Sequence, residues 1–189
     1  MTPFIHPALD VQKALTRDYI DPSVLSRFQR ILLTTDGTLT EILAAYLCEQ
    51  IHLVKLSERS YSLEQAIAPL EVETGMDVID RRILLQGKIS RRNFIYAESF
   101  LVPDRLEETF KQELLVSQTP LGRLWLEHKL ETFKEIIDTA KEPAGSLASY
   151  FRISPDEALL SRTYRVFSKR EPIMMITEKF PESFFRDSF

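Results

Sequence analysis

Cysteine and histidine are scarce in this chain of 189 residues. Cys48 is the single cysteine, so the sequence excludes a disulfide framework and a cysteine-based metal site. Because Cys48 lies in the helical run TEILAAYLCEQ, we expect it to be a small buried hydrophobic residue. The histidines, His6, His52 and His128, are far apart and have no paired acidic signature. We therefore predict no metal site and no cofactor of that kind.

Long apolar runs and basic blocks are also missing. No stretch approaches the roughly 18 apolar residues of a membrane-spanning helix. The N-terminal segment MTPFIHPALD lacks the basic start and apolar centre of a signal peptide, so we expect a cytoplasmic protein. Lys plus Arg number 24 against 28 for Asp plus Glu. This balance argues against nucleic-acid binding, although it is compatible with a local basic pocket for a small anion.

The composition, with 44% hydrophobic and 28% charged residues, is typical of a globular protein with its own core. At this length we expect one domain over residues 1–189. Strand patterns come largely as pairs around short polar turns, at 51–56, 78–86 with 94–102, 132–139, and 163–168 with 173–180. Helical patterns at 22–33, 38–49 and 105–115 fill the gaps between them. The order predicts an α+β fold with an antiparallel sheet of about six strands.

Two charged residues stand in apolar rows of these strands. Alternate side chains of a strand point to opposite faces, so Glu178 shares a face with Met174 and Ile176. In VIDRRILLQ the same count puts Arg81 beside Ile83 and its apolar neighbours, whereas Arg82 has acidic company and is predicted at the surface. Burying an isolated guanidinium or carboxylate costs several kcal/mol unless it is paired or hydrogen-bonded.

Several interpretations of these two residues remain open. The face of Glu178 could be half-buried and solvated, a bulge could break the alternation, or Arg81 and Glu178 could form a structural ion pair. The functional hypothesis is a closed pocket in which Arg81 holds an anionic group and Glu178 faces the reacting end. An apolar setting disfavours the ionised form of a carboxyl group, which would suit Glu178 to acid/base chemistry.

The segment TPLG at 119–122 is a third candidate element. Its proline and glycine precede a short helical pattern, and such turns can direct backbone N–H groups at an anion. Most tetrapeptides of this kind are plain turns, so the segment is weak evidence by itself.

Taken together, these stretches resemble the chorismate pyruvate-lyases, which make 4-hydroxybenzoate. RRILL at 81–85 is similar to the arginine strand of that family, TPLGR at 119–123 to its turn, and EPIMMITEKFP at 171–181 to its closing strand. DGTLTEIL at 36–43 resembles its first flap, with Leu39 where relatives can carry methionine. The likeness extends from about residue 22 to 181 and is nearest to the branch found in cyanobacteria and mycobacteria.

The resemblance implies an antiparallel sheet with the ligand buried under helical flaps, no cofactor, and a monomer. It implies that Arg81 and the backbone N–H groups of Leu39 and Leu121, within a turn that includes Thr119 and Gly122, hold the ring carboxylate. Glu178 then meets the oxygen-bearing end of the ring. In YAESFLVP, Glu98 stands where many relatives have arginine, so the cation for the second carboxylate is open. The candidates for this cation, in no order of preference, are Arg162, Arg165 and Lys179.

The chief alternative is a binding module, because the same architecture serves as the effector domain of some bacterial transcription regulators. Those proteins carry a sizeable N-terminal DNA-binding domain, whereas about 20 residues precede the first helical pattern here. We therefore expect an enzyme with chorismate as substrate and 4-hydroxybenzoate as product, with no nucleic acid or membrane as partner. An enzyme of this fold that acts on another cyclic enolpyruvyl ether is a further possibility.

Overall fold

The computed structural model describes residues 20–116, 124–125 and 127–186. Six strands form one sheet in the order β1-β2-β3-β6-β5-β4, and every neighbouring pair is antiparallel. Their bounds are β1 Ile51–Ser62, β2 Asp77–Gly87, β3 Asn93–Leu101, β4 Phe133–Pro143, β5 Ala158–Ser168 and β6 Glu171–Pro181. The predicted α+β fold with a six-stranded antiparallel sheet is confirmed.

The helices whose bounds the described residues define are short. They are α1 Arg27–Thr34, α2 Leu39–Leu47, α3 Glu108–Val116 and α4 Ala148–Phe151, with 3₁₀ turns at Pro22–Val24, Ala68–Leu70, Pro103–Arg105 and Gly145–Leu147. Asp21 caps the first 3₁₀ turn, and Ser26 then starts α1 through a capping box with Gln29. The sequence prediction of one helix from residue 22 merged these two elements.

Two expectations about local structure are wrong. Cys48 is exposed and ends α2 with a φ of 53°, because it is the residue at which the chain leaves the helix. Strand β1 continues to Ser62, six residues beyond the end of the strand predicted at 51–56. A bulge between Lys55 and Ser57 breaks the alternation there, which hid the second half of the strand from a simple count.

The sheet has two unlike faces. One face, with Leu85, Ile95, Leu160 and Phe180, packs mainly against α1 and α2 at one end of the strands. The other face is partly covered by the 3₁₀ turn Ala68–Leu70 and its neighbours, which pack on buried apolar side chains of β2, β3 and β6. The first face holds the candidate site.

Candidate functional site

A cavity of about 60 Å³ lies between the first face of the sheet and its helical cover. The sheet contributes nine side chains: Arg81, Ile83, Leu85, Ala97, Ser99, Lys134, Tyr164, Ile176 and Glu178. The cover contributes Thr38, Leu39, Thr40 and Trp125. Strand alternation explains the first set, because registered neighbours such as Arg81 with Ser99 and Ser99 with Ile176 point the same way.

Arg81 is almost completely buried, with 1% of its surface exposed, yet its hydrogen-bonding capacity is largely unused. Its Nε and Nη2 atoms have no hydrogen-bond partner among the described residues, and its Nε lies 3.4 Å from the Glu58 carboxylate. Burial lowers the pKa of Arg81, and the Glu58 carboxylate opposes that shift. A buried guanidinium with unmade hydrogen bonds is costly in stability, and a bound carboxylate would satisfy it in the bidentate geometry that arginine favours.

Glu178 lines the same cavity, and each of its two carboxylate oxygens accepts a hydrogen bond from a neighbouring side chain. Its Oε2 atom accepts from Arg162 Nε at 2.7 Å, and its Oε1 atom accepts from the Tyr164 hydroxyl at 3.1 Å. The row of Glu178 in β6 is apolar apart from Glu178 itself, since Met174, Ile176 and Phe180 are buried, but the alternative of an Arg81–Glu178 ion pair is wrong. Arg162, on β5 directly opposite Glu178, supplies the partner instead.

The neighbours of Glu178 are held in fixed protonation states. Burial acts to lower the pKa of Arg162, but the Glu178 carboxylate and the Tyr164 side chain together outweigh it, and the pKa is raised. Burial, with the adjacent Glu178 carboxylate, raises the pKa of Tyr164 well above its usual value. Both side chains are therefore hydrogen-bond donors at neutral pH, and Glu178 acts as the acceptor between them.

The N-terminus of α2 faces the cavity through Thr38, Leu39 and Thr40. Thr38 is the N-cap residue but makes no side-chain cap, so it leaves the first amides of the helix available. Free amides at a helix start attract anions, and they lie here on the same cavity as the Arg81 guanidinium, whose Nε and Nη2 atoms have no hydrogen-bond partner among the described residues. Leu39, expected to hold a carboxylate through its N–H group, is thus on the cavity.

Of the other sequence-predicted binding residues, Arg162 lies behind Glu178, and its Nη1 atom donates to the Thr35 carbonyl at 2.7 Å. Arg165 is on the opposite face of the sheet, paired with Glu135. Lys179 is also on that face and pairs with Glu142 at 2.6 Å. Thr119, Leu121 and Gly122 fall outside the described residues.

Lys134 is a cavity residue that the sequence analysis missed. It alternates with Phe133 and Glu135 in β4, and nothing in a lone lysine of a half-exposed edge strand signals a site. Its Nζ atom donates to the Gly37 carbonyl at 3.1 Å, and burial lowers its pKa, partly offset by Glu178. A second cavity of about 220 Å³, which also involves Asp36 and Phe133, adjoins the first and shares Thr38, Trp125 and Lys134 with it.

The structure also shows where Glu98 and Trp125 lie relative to the cavity. Glu98 lies on the face opposite the cavity, 4.0 Å from Lys179, while its neighbour Ser99 lines the cavity. Trp125 is buried and also lines both cavities. Its indole nitrogen has no hydrogen-bond partner among the described residues.

Metal ligands and membrane helices are not found in the described part of the chain. No group of three or more His, Cys, Asp or Glu side chains there could hold a metal ion. None of the described helices combines the length and apolar character needed to cross a bilayer.

Comparison with protein families matches residues 33–186 to the family described as chorismate pyruvate-lyase Rv2949c-like. The chain is 32% identical over 171 residues to the chorismate pyruvate-lyase of Mycobacterium tuberculosis, covering 87% of this chain and 84% of the relative. It is 30% identical over 168 residues to the chorismate pyruvate-lyase of Mycobacterium leprae, covering 87% and 79%.

Solved structures with the same fold include regulator domains. The effector domain of PhnF from Mycobacterium smegmatis matches with a TM-score of 0.60 at 14% identity, covering 79% of this chain and 91% of that one. The C-terminal domain of the histidine utilization repressor from Pseudomonas syringae matches with a TM-score of 0.56 at 15% identity, covering 74% and 97%. At these identities the likeness extends to the fold alone.

Proposed function

The chain belongs to the Rv2949c-like family of chorismate pyruvate-lyases, and from this membership we propose that it converts chorismate to 4-hydroxybenzoate and pyruvate. The observation that carries the proposal is the shared cavity of Arg81 and Glu178. One end offers unpaired donors to a carboxylate, and the other offers a fixed carboxylate acceptor.

The reaction is an elimination that balances without an external oxidant or reductant. The bond between ring carbon 3 and the ether oxygen breaks, a proton leaves ring carbon 4, and the ring becomes aromatic. The released enolpyruvate takes up a proton and becomes pyruvate. Because aromatisation supplies the driving force, the protein has to orient the ring and move a proton.

Arg81 and the Leu39 amide bind the ring carboxylate in this proposal. The family resemblance adds the backbone N–H group of Leu121, in the turn with Thr119 and Gly122, which lies outside the described residues. Their charge and N–H groups suit a carboxylate, and burial strengthens the interaction relative to water. Glu178 accepts a hydrogen bond from the hydroxyl on ring carbon 4 and lies beside the proton that leaves. Arg162 and Tyr164 position Glu178 and do not bind substrate themselves.

Strand spacing supports this assignment of ends. Arg81 is on β2 and Glu178 on β6, and β3 lies between them. Arg81 is level with Ile176 through Ser99, and Glu178 is two residues further along β6. With about 4.8 Å between strands and about 3.4 Å per residue, the two side chains start roughly 12 Å from each other. A six-membered ring with a carboxylate and a hydroxyl at opposite positions spans a comparable distance once hydrogen bonds are included.

The test is turnover by purified protein, with 4-hydroxybenzoate and pyruvate measured separately. We expect equal amounts of both products, and a fall in kcat of roughly 100-fold or more for Glu178→Gln, because the amide cannot accept the proton. Glu142→Gln is the matched control, since Glu142 is equally buried but lies on the opposite face beside Lys179.

Near-normal turnover by Glu178→Gln would remove Glu178 from the chemistry. Tight binding of chorismate without product by the unaltered protein would refute the lyase assignment. That result would favour an effector-binding role like that of the regulator domains with this fold.

A further inference from the structure

We propose that Lys134 binds the second carboxylate of the substrate, the one on the enolpyruvyl arm. The inference rests on the proposed function, because chorismate is a dianion and Arg81 accounts for only one of its charges. It assigns the specificity for a two-carboxylate ligand to a single residue of β4.

Lys134 has unused binding capacity. Its ammonium group carries three hydrogens, and its one hydrogen bond within the described residues goes to the Gly37 carbonyl. No described carboxylate lies within ion-pair distance of it, unlike Lys179 and Arg165, which are paired with Glu142 and Glu135. A partly buried cation that has no carboxylate within ion-pair distance is stabilised when an anion binds to it.

Across the sheet, Lys134 lies on the Glu178 side of the cavity rather than on the Arg81 side. Its Nζ atom lies 5.7 Å from the centre of the Tyr164 ring, and the Tyr164 hydroxyl contacts Glu178. In the sheet order, Glu178 on β6 falls between Arg81 on β2 and Lys134 on β4. The enolpyruvyl ether is attached to the ring carbon next to the hydroxyl carbon, so its carboxylate extends beyond the Glu178 end.

The two adjoining cavities provide the room. The inner one, at about 60 Å³, is smaller than the roughly 150 Å³ cavity that accepts benzene in an engineered protein. A substituted ring therefore also needs space outside it. The outer cavity of about 220 Å³ shares Lys134 with the inner one, which puts Lys134 at their boundary.

The experiment compares ligands with one and two carboxylates. For Lys134→Met we expect kcat/KM for chorismate to fall about 10- to 100-fold, the usual effect of losing a hydrogen bond to a charged group. The Kd of 4-hydroxybenzoate, measured by calorimetry, should change by less than about threefold, because that ligand lacks the arm. Lys134→Arg should retain most of the chorismate affinity.

Lys141→Met is the matched control. Lys141 is on the same strand but pairs with Glu182 outside the cavity, so neither ligand should be affected. Should Lys134→Met fail to fold by circular dichroism, Lys134→Gln replaces it in both measurements.

An equal loss of chorismate and 4-hydroxybenzoate binding would overturn the proposal. It would mean that Lys134 acts only through its hydrogen bond to the Gly37 carbonyl, by positioning the loop. Unchanged kcat/KM would overturn the proposal as well. If the unaltered protein bound chorismate without turnover, the proposed function would fail separately. The Kd of chorismate for the Lys134→Met variant would then test the role of Lys134. A Kd equal to that of the unaltered protein would contradict the assignment of Lys134 to the second carboxylate.

Discussion

At the scale of single residues, buried charges in this protein are of two kinds. Glu178 with Arg162, and Lys179 with Glu142, are pairs in close contact. Arg81 is equally buried but has donors without hydrogen-bond partners among the described residues. Paired charges are compatible with a structural or positioning role, whereas an unsatisfied one costs stability and gains from a ligand.

Arg81→Gln should therefore separate binding from stability. We expect the affinity for 4-hydroxybenzoate to fall by about 10- to 100-fold, as for other lost hydrogen bonds to a charged group. The free energy of unfolding should stay equal or rise, because the variant removes a buried, poorly satisfied cation. Calorimetric titration and chemical denaturation measure the two quantities.

Arg82→Gln is the control for this prediction. Its side chain is 39% exposed, and it points to the opposite face near Asp80. Affinity should be unchanged in that variant. Equal loss of affinity in both variants, or strong destabilisation by Arg81→Gln alone, would contradict the assignment of Arg81 to ligand binding.

At the scale of elements, irregularities in the strands and helices position the site. The bulge in β1 brings Glu58 opposite Arg81, where it is the nearest carboxylate to the guanidinium. Two side chains of the sheet hydrogen-bond to the loop before α2. Arg162 donates to the Thr35 carbonyl, and Lys134 donates to the Gly37 carbonyl. Two cations of the sheet thus fix the helix start that faces the cavity.

The hairpin between β5 and β6 also depends on an unusual backbone. Lys169 and Arg170 form its turn with φ angles of 51° and 71°, both in the left-handed region that favours glycine. This conformation suits the right-handed twist of the strands but strains residues that have a Cβ atom. The hairpin carries Arg162, Tyr164 and Glu178, so its register controls the site.

Arg170→Gly should stabilise the protein by about 0.5–1 kcal/mol, because glycine adopts a positive φ without strain. Chemical denaturation gives the change in unfolding free energy, and turnover should be unaffected. Lys88→Gly, in the turn after β2 where φ is not positive, is the control. It should be neutral or destabilising, and a loss of stability in Arg170→Gly would contradict the account of the turn.

At the scale of the whole molecule, tyrosines on both faces of the sheet make stability depend on alkaline pH. Burial raises the pKa of Tyr164 on the cavity face, and burial with the Glu98 charge raises the pKa of Tyr96 on the other. Because these tyrosines have a higher pKa in the folded than in the unfolded protein, each contributes fully to the free energy of unfolding at pH values below about 10, the pKa of an unfolded tyrosine. This contribution is lost as the pH rises above that value.

We expect the free energy of unfolding to fall by about 1.4 kcal/mol for each such tyrosine between about pH 8 and about pH 11. Tyr96→Phe should remove one of these contributions, since phenylalanine keeps the ring but does not ionise. Denaturation at both pH values in the two proteins tests this. A pH dependence unchanged by the substitution would exclude Tyr96 as a source.

The sequence by itself determined the architecture and the two ends of the site. Alternation in 78–86 and 173–180 is local information, so it was enough to place Arg81 and Glu178 on one face, where both line one cavity. Family membership was visible in ordered short motifs and is borne out over residues 33–186.

Only the tertiary structure decided which charges meet. Arg162 pairs with Glu178, Glu58 approaches Arg81, and Lys134 reaches the cavity from an edge strand. These outcomes depend on the order of strands across the sheet and on a one-residue bulge. Neither leaves a local pattern, because pairing between distant strands is chosen by the packing of the whole sheet rather than by the residues nearby.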